Sequence, residues 1–204
     1  MVLIKICGIT NLRDAKQAYK AGADAIGFVF AKSPRRISIQ KAKSIAKAIP
    51  SSIKKVGVFV DASEDFVKKA IKIVGLDAVQ FHGNESPAYC RKFRGLAEVI
   101  KAIRVKNRGS LDRIKAYDVD AVLLDTYNPR KKGGTGKTFS WALAIAAKKF
   151  KKPVILSGGL SPDNVRQAAE KVKPHAVDVS SGVEVSPGRK DHAKVKEFIK
   201  NAKV

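Results

Sequence analysis

The sequence predicts a single-domain α/β protein, a compact (β/α)₈ barrel with few insertions that spans residues 1–204. Eight short runs rich in β-branched residues alternate with eight amphipathic segments, a pattern typical of βαβ units around a parallel sheet. A repeat of about 25 residues per unit fits a closed barrel better than an open sheet. In addition, 45% of the residues are hydrophobic, which is enough for one core.

Each predicted strand is a short apolar run, and each is followed by one predicted helix with apolar residues at helical spacing. The strands cover Leu3–Cys7, Ala25–Phe30, Val56–Val60, Ala78–His82, Val99–Arg104, Ala121–Asp125, Val154–Ser157 and Ala176–Ser180. The helices cover Leu12–Ala21, Gln40–Ala48, Glu64–Val74, Ser86–Phe93, Leu111–Ala116, Ser140–Lys149, Pro162–Val172 and Asp191–Ala202.

A short internal repeat supports the barrel. Strands 2, 4 and 6 begin with the pattern Asp-Ala-(Ile/Val), at Asp24, Asp77 and Asp120, and strand 8 keeps Ala176 and Val177. Successive copies span two βα units, which suggests that alternate strands occupy similar environments.

The chain is strongly basic, with 41 Lys and Arg residues against 18 Asp and Glu residues and a formal net charge of +23. A nucleic-acid partner therefore has to be considered. The lysines are spread over nearly every predicted helix, and no basic run is interleaved with aromatic residues as a base-stacking surface requires. Solvated outer helix faces explain the charge better, and we predict no specific nucleic-acid partner.

The sequence also bears on the cellular compartment. No apolar stretch approaches the roughly 20 residues that cross a bilayer, and the N-terminus lacks a signal-peptide pattern. The two cysteines, Cys7 and Cys90, are too few for a disulfide scaffold and are typical of a reducing compartment. We therefore predict a cytoplasmic protein without a membrane partner.

Reactive side chains occur at the carboxyl ends of the strands, where barrel enzymes have their active sites. Alternation places Lys5 and Cys7 on one face of strand 1, and Asp178 and Ser180 on one face of strand 8. The position of Cys7 at a strand end near Lys5 favours a functional thiolate over a cysteine that is merely buried. Asp125 ends the apolar run Ala-Val-Leu-Leu, where a carboxylate is unfavourable unless it is paired or used.

The histidines and the second cysteine are interpreted from their positions. His82 ends strand 4, where a site-lining role and a structural role both fit. His175 precedes strand 8 at the opposite rim and His192 opens the last helix, so both are predicted to be structural. Cys90 lies on an amphipathic helical segment, where core packing is the better interpretation.

Two glycine–serine loops, Ser157–Leu160 and Ser180–Val183, follow the last two strands. Glycines there let backbone N–H groups converge on an anion, and barrels often bind phosphate at these loops. The first loop leads into Ser161 and Pro162, predicted as the N-cap and first residue of a helix whose N-terminus would add positive charge. The pair of loops predicts a barrel enzyme that acts on a phosphorylated small molecule.

A third glycine-rich segment, Gly133–Thr138, ends like a nucleotide-binding P-loop. The motif requires a glycine where Lys131 stands, so this interpretation fails. Because the segment lies in the longest loop between strands, after strand 6, we predict a mobile active-site loop. No His, Cys and carboxylate cluster has metal-ligand spacing and no dinucleotide motif follows strand 1, so we predict no metal and no cofactor.

Eight blocks of distinctive residues follow one another in a fixed order: Lys5–Thr10, Gly22–Phe28, Lys32–Arg35, Val79–Gly83, Leu123–Thr126, Gly133–Thr138, Leu156–Leu160 and Val177–Gly182. In this order they closely resemble the phosphoribosylanthranilate isomerases, a family of the tryptophan pathway. The resemblance covers essentially the whole chain. The opening Lys-Ile-Cys-Gly combined with Leu-Leu-Asp-Thr is highly specific, whereas the glycine loops alone are shared with other phosphate-binding barrels.

The resemblance implies an Amadori rearrangement of N-(5-phosphoribosyl)anthranilate to 1-(2-carboxyphenylamino)-1-deoxyribulose 5-phosphate, without cofactor or metal. It implies that Asp125 is the general acid that protonates the ribose ring oxygen. It also implies that Cys7, as a thiolate, is the general base that removes the sugar C2 proton. The base role needs a thiol whose pKa is lowered towards neutrality, and Lys5 is expected to favour the thiolate.

The resemblance further implies how the substrate is held. Arg35 is expected to clamp the anthranilate carboxylate, although Arg36 follows it and leaves the choice within the pair open. His82 and Asp178 are expected to contact the substrate, Asp178 through the sugar hydroxyls. The phosphate is expected to be held by Gly158, Gly159, Ser180, Ser181 and Gly182.

Other interpretations stay open. A triose-phosphate-type isomerase places a histidine after strand 4 and a carboxylate after strand 6, which His82 and Asp125 match roughly. The histidine-pathway aminosugar isomerase has aspartates after strands 1 and 5, where this chain has Cys7 and Arg104. A basic nucleic-acid-binding module is disfavoured but differs in class. For the oligomeric state, both a monomer and a homodimer are compatible with the sequence.

Overall fold

The computed structural model of the protein describes residues 2–126 and 140–203. Eight parallel strands close into a barrel in sequence order, with the last strand paired to the first. The strands are β1 (Leu3–Cys7), β2 (Ala25–Val29), β3 (Lys54–Phe59), β4 (Ala78–Phe81), β5 (Glu98–Val105), β6 (Ala121–Thr126), β7 (Val154–Leu156) and β8 (Ala176–Val179). A short antiparallel hairpin of β9 (Glu184–Ser186) and β10 (Arg189–Lys190) follows β8.

Helices flank the strands in turn. The α-helices are α1 (Leu12–Ala21), α2 (Ile39–Lys47), α3 (Glu64–Val74), α4 (Pro87–Arg91), α5 (Trp141–Ala147), α6 (Val165–Val172) and α7 (His192–Ala202). Between β5 and β6 lies a 3₁₀ helix, Arg108–Ala116, and two shorter 3₁₀ turns occur at Lys148–Phe150 and Ser181–Val183. The predicted (β/α)₈ barrel is confirmed, and each predicted strand is present with its ends shifted by at most two residues.

The helix after β7 differs from its prediction. It begins at Val165 rather than at Pro162, and the residue at its N-cap is Asn164. The Asn164 side chain accepts a hydrogen bond from Ser161 N at 2.9 Å and donates one to Gly159 O at 2.9 Å. The prediction was wrong because this side chain holds residues 161–164 in a separate turn ahead of the helix.

The barrel interior is layered. Its apolar layer consists of side chains from alternate positions of the strands, which are Val56, Ala78, Ile100, Ala102, Ala121, Leu123, Ile155 and Ala176. A second, larger apolar core fills the space between the strands and the helices. Buried polar residues, among them Lys5, Gln80, Asp125 and Asp178, also occur on the strands. They share the interior-facing alternation of the apolar layer and lie nearer the carboxyl ends of the strands.

The repeated aspartates at the opposite end have one common contact. Asp24 Oδ2 accepts the backbone N–H of Ile4 at 2.8 Å, Asp77 Oδ2 that of Lys55 at 2.7 Å, and Asp120 Oδ2 that of Val99 at 2.8 Å. In each case the donor is the second residue of the preceding strand. The sequence repeat therefore reflects a repeated strand-to-strand hydrogen bond.

Candidate active site

Lys5 and Cys7 lie side by side inside the barrel, as the alternation of β1 predicts. A Cβ atom added at Gly27 of β2 would be 2.8 Å from Cys7 Sγ and 3.1 Å from Lys5 Nζ. The absence of a side chain at Gly27 therefore makes room for both groups. Cys7 is 7% exposed, so its thiol lies in the wall of the barrel mouth.

The titration of Cys7 differs from the sequence prediction. Burial raises the pKa of the thiol above its ordinary value, although the positive charges of Lys5 and Lys190 act in the opposite direction. The negative charge of Asp178 adds to the increase. The expected lowering of the pKa is therefore wrong for the protein without a substrate, because desolvation outweighs the nearby cations.

The side chain of Asp178 on β8 accepts two hydrogen bonds inside the barrel. Its Oδ1 accepts a hydrogen bond from Lys5 Nζ at 2.7 Å, and its Oδ2 accepts one from Ser157 Oγ at 3.0 Å. Burial alone would lower the pKa of Lys5, but the charge of Asp178, followed by that of Cys7, raises it instead. Both Asp178 oxygens already have partners, so a sugar hydroxyl would be an additional contact at this carboxylate.

The side chains of His82 and Asp125 contact each other at the barrel mouth. His82 Nε2 is 3.1 Å from Asp125 Oδ2, and Gln80 Nε2 is 3.0 Å from the other ring nitrogen, Nδ1. The second Asp125 oxygen, Oδ1, accepts the backbone N–H of Thr126 at 2.8 Å. Arg104 Nη2 donates to the His82 carbonyl at 2.9 Å. The structure therefore brings the two predicted residues, one beyond β4 and one on β6, into direct contact.

Arg35 meets a carboxylate of the protein itself. Its Nε is 2.9 Å from Glu184 Oε1 and its Nη2 is 2.6 Å from Oε2, so one edge of the guanidinium is bound in paired fashion. Lys190 Nζ contacts Glu184 Oε1 at 2.8 Å. Burial raises the pKa of Glu184, but these two cations lower it more. The other edge of Arg35 keeps N–H groups for a second carboxylate.

The two candidate phosphate loops touch each other. A Cβ atom at Gly182 would overlap the carbonyl oxygen of Leu160, so only glycine permits this approach. Gly158 and Gly159 have φ of 83° and 74°, in the left-handed region that favours glycine. Ser180 Oγ is buried and has no hydrogen-bond partner among residues 2–126 and 140–203, which is unusual for a buried hydroxyl.

Gly158 has a second contact, with the end of β6. A Cβ atom at Gly158 would be 2.8 Å from Asp125 Oδ1 and would overlap Thr126. This glycine therefore lets the loop after β7 lie directly against the candidate acid. Ser181, the next predicted phosphate ligand, begins the 3₁₀ turn Ser181–Val183 and is half-buried.

The remaining predicted positions lie away from the mouth or outside the described part of the chain. Cys90 is fully buried in the core. His192 Nε2 is 2.8 Å from Asp14 Oδ1, and the carbonyl of His175 accepts the N–H of Leu3 at the opposite rim. The structural roles predicted for these three residues agree with these contacts. The segment Gly133–Thr138 lies outside the described residues.

Sequence reasoning missed three residues of the site. Gln80 stands two positions before His82 on β4, so alternation could have placed it on the same interior face. Glu184 and Lys190 lie in the β9–β10 hairpin, which was not predicted. Lys190 is almost fully buried, which is unusual for a lysine, and its ammonium group is held by Ser180 O at 3.1 Å and by Glu184 Oε1 at 2.8 Å.

Neither a metal-binding cluster nor a membrane-spanning helix occurs among the described residues. Within them, no group of three or more His, Cys, Asp and Glu side chains is arranged to hold a metal ion. Among the helices that the structure describes, none has the length and apolar character needed to span a bilayer.

A closed parallel barrel with titratable side chains and glycine loops at the carboxyl ends of its strands defines a (β/α)₈-barrel enzyme. The family model described as N-(5'-phosphoribosyl)anthranilate (PRA) isomerase matches residues 4–201. The chain therefore belongs to this family, and it is an isomerase.

Similar proteins agree with this assignment. The chain is 54% identical over 204 residues to the N-(5'-phosphoribosyl)anthranilate isomerase of Geobacter sulfurreducens, covering 100% of this chain and 99% of the relative. It is similar to the crystal structure of phosphoribosyl anthranilate isomerase from Thermotoga maritima, with 48% identity, a TM-score of 0.94 and coverage of 100% and 99%. A further isomerase structure, with 45% identity, a TM-score of 0.91 and coverage of 100% and 99%, contains reduced 1-(o-carboxyphenylamino)-1-deoxyribulose 5-phosphate.

Proposed function

We propose that this chain catalyses the reaction of its family, the rearrangement of N-(5'-phosphoribosyl)anthranilate in tryptophan biosynthesis, by general acid–base catalysis at the barrel mouth. The observation that carries the proposal is that Cys7 of β1 and Asp125 of β6 both lie on the interior face at the carboxyl ends of their strands. A thiol and a carboxyl group that share one mouth supply a base and an acid for the same sugar.

In the first step, Asp125 gives its proton to the ribose ring oxygen. The C1–O bond breaks, and the nitrogen lone pair of the anthranilate forms the C=N bond of a Schiff base. The contact between Asp125 Oδ2 and His82 Nε2, at 3.1 Å, supports this role because a ring N–H there would stabilise the carboxylate left behind.

In the second step, Cys7 as thiolate removes the proton from C2 of the sugar. The electron pair of that C–H bond forms the C1=C2 bond while the electron pair of the C=N bond returns to the nitrogen, which gives an enolamine. The enolamine then takes a proton at C1 and loses the proton of its C2 hydroxyl group, and so becomes the ketone. Lys5 and Lys190 support the thiolate electrostatically, whereas burial opposes it. The approach of a substrate that excludes water strengthens the attraction between these charges.

Three further groups are proposed to hold the substrate. Arg35 binds the anthranilate carboxylate with the guanidinium edge that Glu184 leaves free, and the exposed position of Arg36 supports this choice within the pair. His82 and Asp178 line the sugar. Phosphate binds at the two touching loops, through Gly158, Gly159, Ser180, Ser181 and Gly182, and the unpartnered hydroxyl of Ser180 supports this location.

The direct test is turnover of N-(5'-phosphoribosyl)anthranilate by the purified chain, followed by the loss of substrate fluorescence. We expect Cys7→Ser to lower kcat by about 10²–10⁴-fold, as removal of a general base does, with a smaller effect on KM. Retained activity in Cys7→Ala would instead favour a triose-phosphate-type scheme that uses His82 and Asp125. Cys90→Ser, a change of the second buried cysteine away from the mouth, is the matched control.

Four broader features remain proposals. We infer one catalytic domain over residues 1–204, a location in the cytoplasm, and no specific nucleic-acid partner despite the charge of +23. The assembly is proposed to be a monomer or a homodimer. One similar structure is described as mutually generated monomers of a dimeric isomerase from Thermotoga maritima, which supports testing both states by sedimentation.

A further inference from the structure

Gln80 is a buried amide that the proposed reaction does not use. It lies on the interior face of β4 and is 1% exposed. Its Nε2 is 3.0 Å from His82 Nδ1, whereas its Oε1 is buried and has no hydrogen-bond partner among the described residues. A buried polar atom without a partner is unfavourable, and in this orientation only one of the two polar atoms of the amide has a partner.

The contact with Gln80 decides which nitrogen of His82 carries the proton. An amide NH₂ group can only donate, so the Nδ1 atom that faces it must accept. A neutral imidazole then has its proton on Nε2, and this N–H points at Asp125 Oδ2 3.1 Å away. In this arrangement the Nε2–H group of His82 donates a hydrogen bond to Asp125, which can accept it as a carboxylate.

The opposite orientation of the Gln80 amide is compatible with a protonated Asp125. With Oε1 turned towards the ring, the amide oxygen accepts a hydrogen bond from Nδ1–H, and the NH₂ group gives up its own contact with Nδ1. Nε2 is then unprotonated and accepts the O–H of Asp125. This arrangement holds one more proton than the first, and that proton is taken up from solvent on Asp125.

Two neighbouring hydrogen bonds do not involve the Gln80 amide, so they are compatible with both of its orientations. Arg104 Nη2 holds the His82 carbonyl at 2.9 Å, and Thr126 N holds the other oxygen of Asp125 at 2.8 Å. We propose that Gln80 is a positioning residue that selects the tautomer of His82 and thereby whether Asp125 is held as a carboxylate or as an acid. The link to catalysis rests on the proposed function, whereas the tautomer itself does not.

The tautomer can be measured directly by ¹⁵N NMR of the unliganded protein labelled in its histidines. The chain has only 3 histidines, and His175 and His192 provide internal references for folding. We expect wild-type His82 to show a protonated Nε2 and an unprotonated Nδ1. In Gln80→Glu, whose carboxylate only accepts, we expect Nδ1 to become protonated.

Two further variants sharpen the test. Gln80→Met removes both amide atoms at similar volume, and we expect a mixture of His82 tautomers. Val58→Ala shortens a side chain at the paired position of β3 and keeps the Gln80 amide, and we expect an unchanged His82 spectrum. Signals of His175 and His192 at their wild-type positions show that each variant is folded. An unchanged His82 tautomer in both Gln80 variants overturns the proposal.

Activity tests the second half of the inference. We expect Gln80→Met to lower kcat by about 10–100-fold with little change in KM, the effect typical of removing a partner that orients a functional imidazole. A changed tautomer with unchanged kcat would contradict the link to Asp125. If wild-type protein fails to convert the substrate, the proposed function fails, but the NMR result on the tautomer stands by itself.

Discussion

The two ends of the barrel use aspartate in different ways. At the amino ends, the three aspartates that precede β2, β4 and β6 each accept a backbone N–H of the preceding strand. At the carboxyl ends, Asp125 and Asp178 contact the side chains of His82 and Lys5 inside the barrel. The first set therefore stabilises the pairing of neighbouring strands, whereas the second set places carboxylates among the polar side chains of the candidate site.

Two cavities, one at each end of the barrel, also differ in their lining, and their volumes do not indicate where the candidate site lies. The larger one, about 490 Å³, lies at the amino ends and is lined mainly by the apolar interior layer with a rim of charged residues. The smaller one, about 210 Å³, opens at the carboxyl ends of β4 and β5 and is lined by polar and basic side chains that include Asn84, Arg104 and Arg113. Neither Cys7 nor Asp125 lines these two cavities, so the candidate acid and base are located by the strand ends and not by cavity volume.

The strongest test of this comparison changes two aspartates, one at each end of β6. Asp125→Asn at the carboxyl end of β6 should lower kcat by about 10²–10⁴-fold, because an amide cannot deliver a proton. Asp120→Asn, just before β6, should leave kcat nearly unchanged and lower the stability to urea instead. Steady-state kinetics and urea unfolding of both variants check this. Similar losses of kcat in the two variants would remove the distinction between the ends.

Arg35 tests whether the mouth binds the substrate carboxylate. Loss of a paired contact between charged groups, worth about 1.5–3 kcal/mol, lowers kcat/KM on the order of 10–100-fold in Arg35→Ala. Arg35→Lys should recover only part of this loss, because an ammonium cannot make the paired contact. Arg36→Ala is the matched control. Full activity in Arg35→Ala, with loss in Arg36→Ala, would show that the neighbouring arginine is the clamp.

The raised pKa of Cys7 predicts the pH dependence of its alkylation. Since only the thiolate reacts, iodoacetamide should modify Cys7 of the free protein slowly at neutral pH, and the rate should still rise beyond the pH at which an ordinary thiol has titrated. Cys90 is fully buried, and burial raises its pKa to about 11, so the remaining thiol of the Cys7→Ser variant should also react slowly at neutral pH. Mass spectrometry identifies the modified residue. A rate that levels off below neutral pH would mean that the cations outweigh burial.

The smallest expected effect concerns the amino end. Asp24→Ala leaves the N–H of Ile4 without its partner and should lower the free energy of unfolding by about 1–3 kcal/mol, with kcat unchanged. Glu98→Gln removes an exposed ion pair with Lys54 on the same rim and should lower it by only about 0.2–1 kcal/mol. Urea unfolding measures both. A larger effect of Glu98→Gln would mean that surface charges, not strand contacts, stabilise this end.

Much of this site was predictable because its parts are local. The position of Cys7 and of Asp125 at strand ends follows from apolar runs of a few residues, and alternation assigns Lys5 to the same face as Cys7. The turn before α6 was not predictable in this way. Ser161 and Pro162 form a good helix start by themselves, but the Asn164 side chain binds Gly159 and Ser161 and delays the helix.

The sequence by itself determined the alternation of strands and helices, the barrel that follows from it, and the residues that stand at the strand ends, since these depend on short-range patterns. Only the tertiary structure decided their partners. Arg35 contacts Glu184, 149 residues further along the chain, and His82 contacts Asp125 although β5 lies between their strands. The direction of the Cys7 pKa was decided there as well, because desolvation and charge pairing depend on side chains that distant segments bring together.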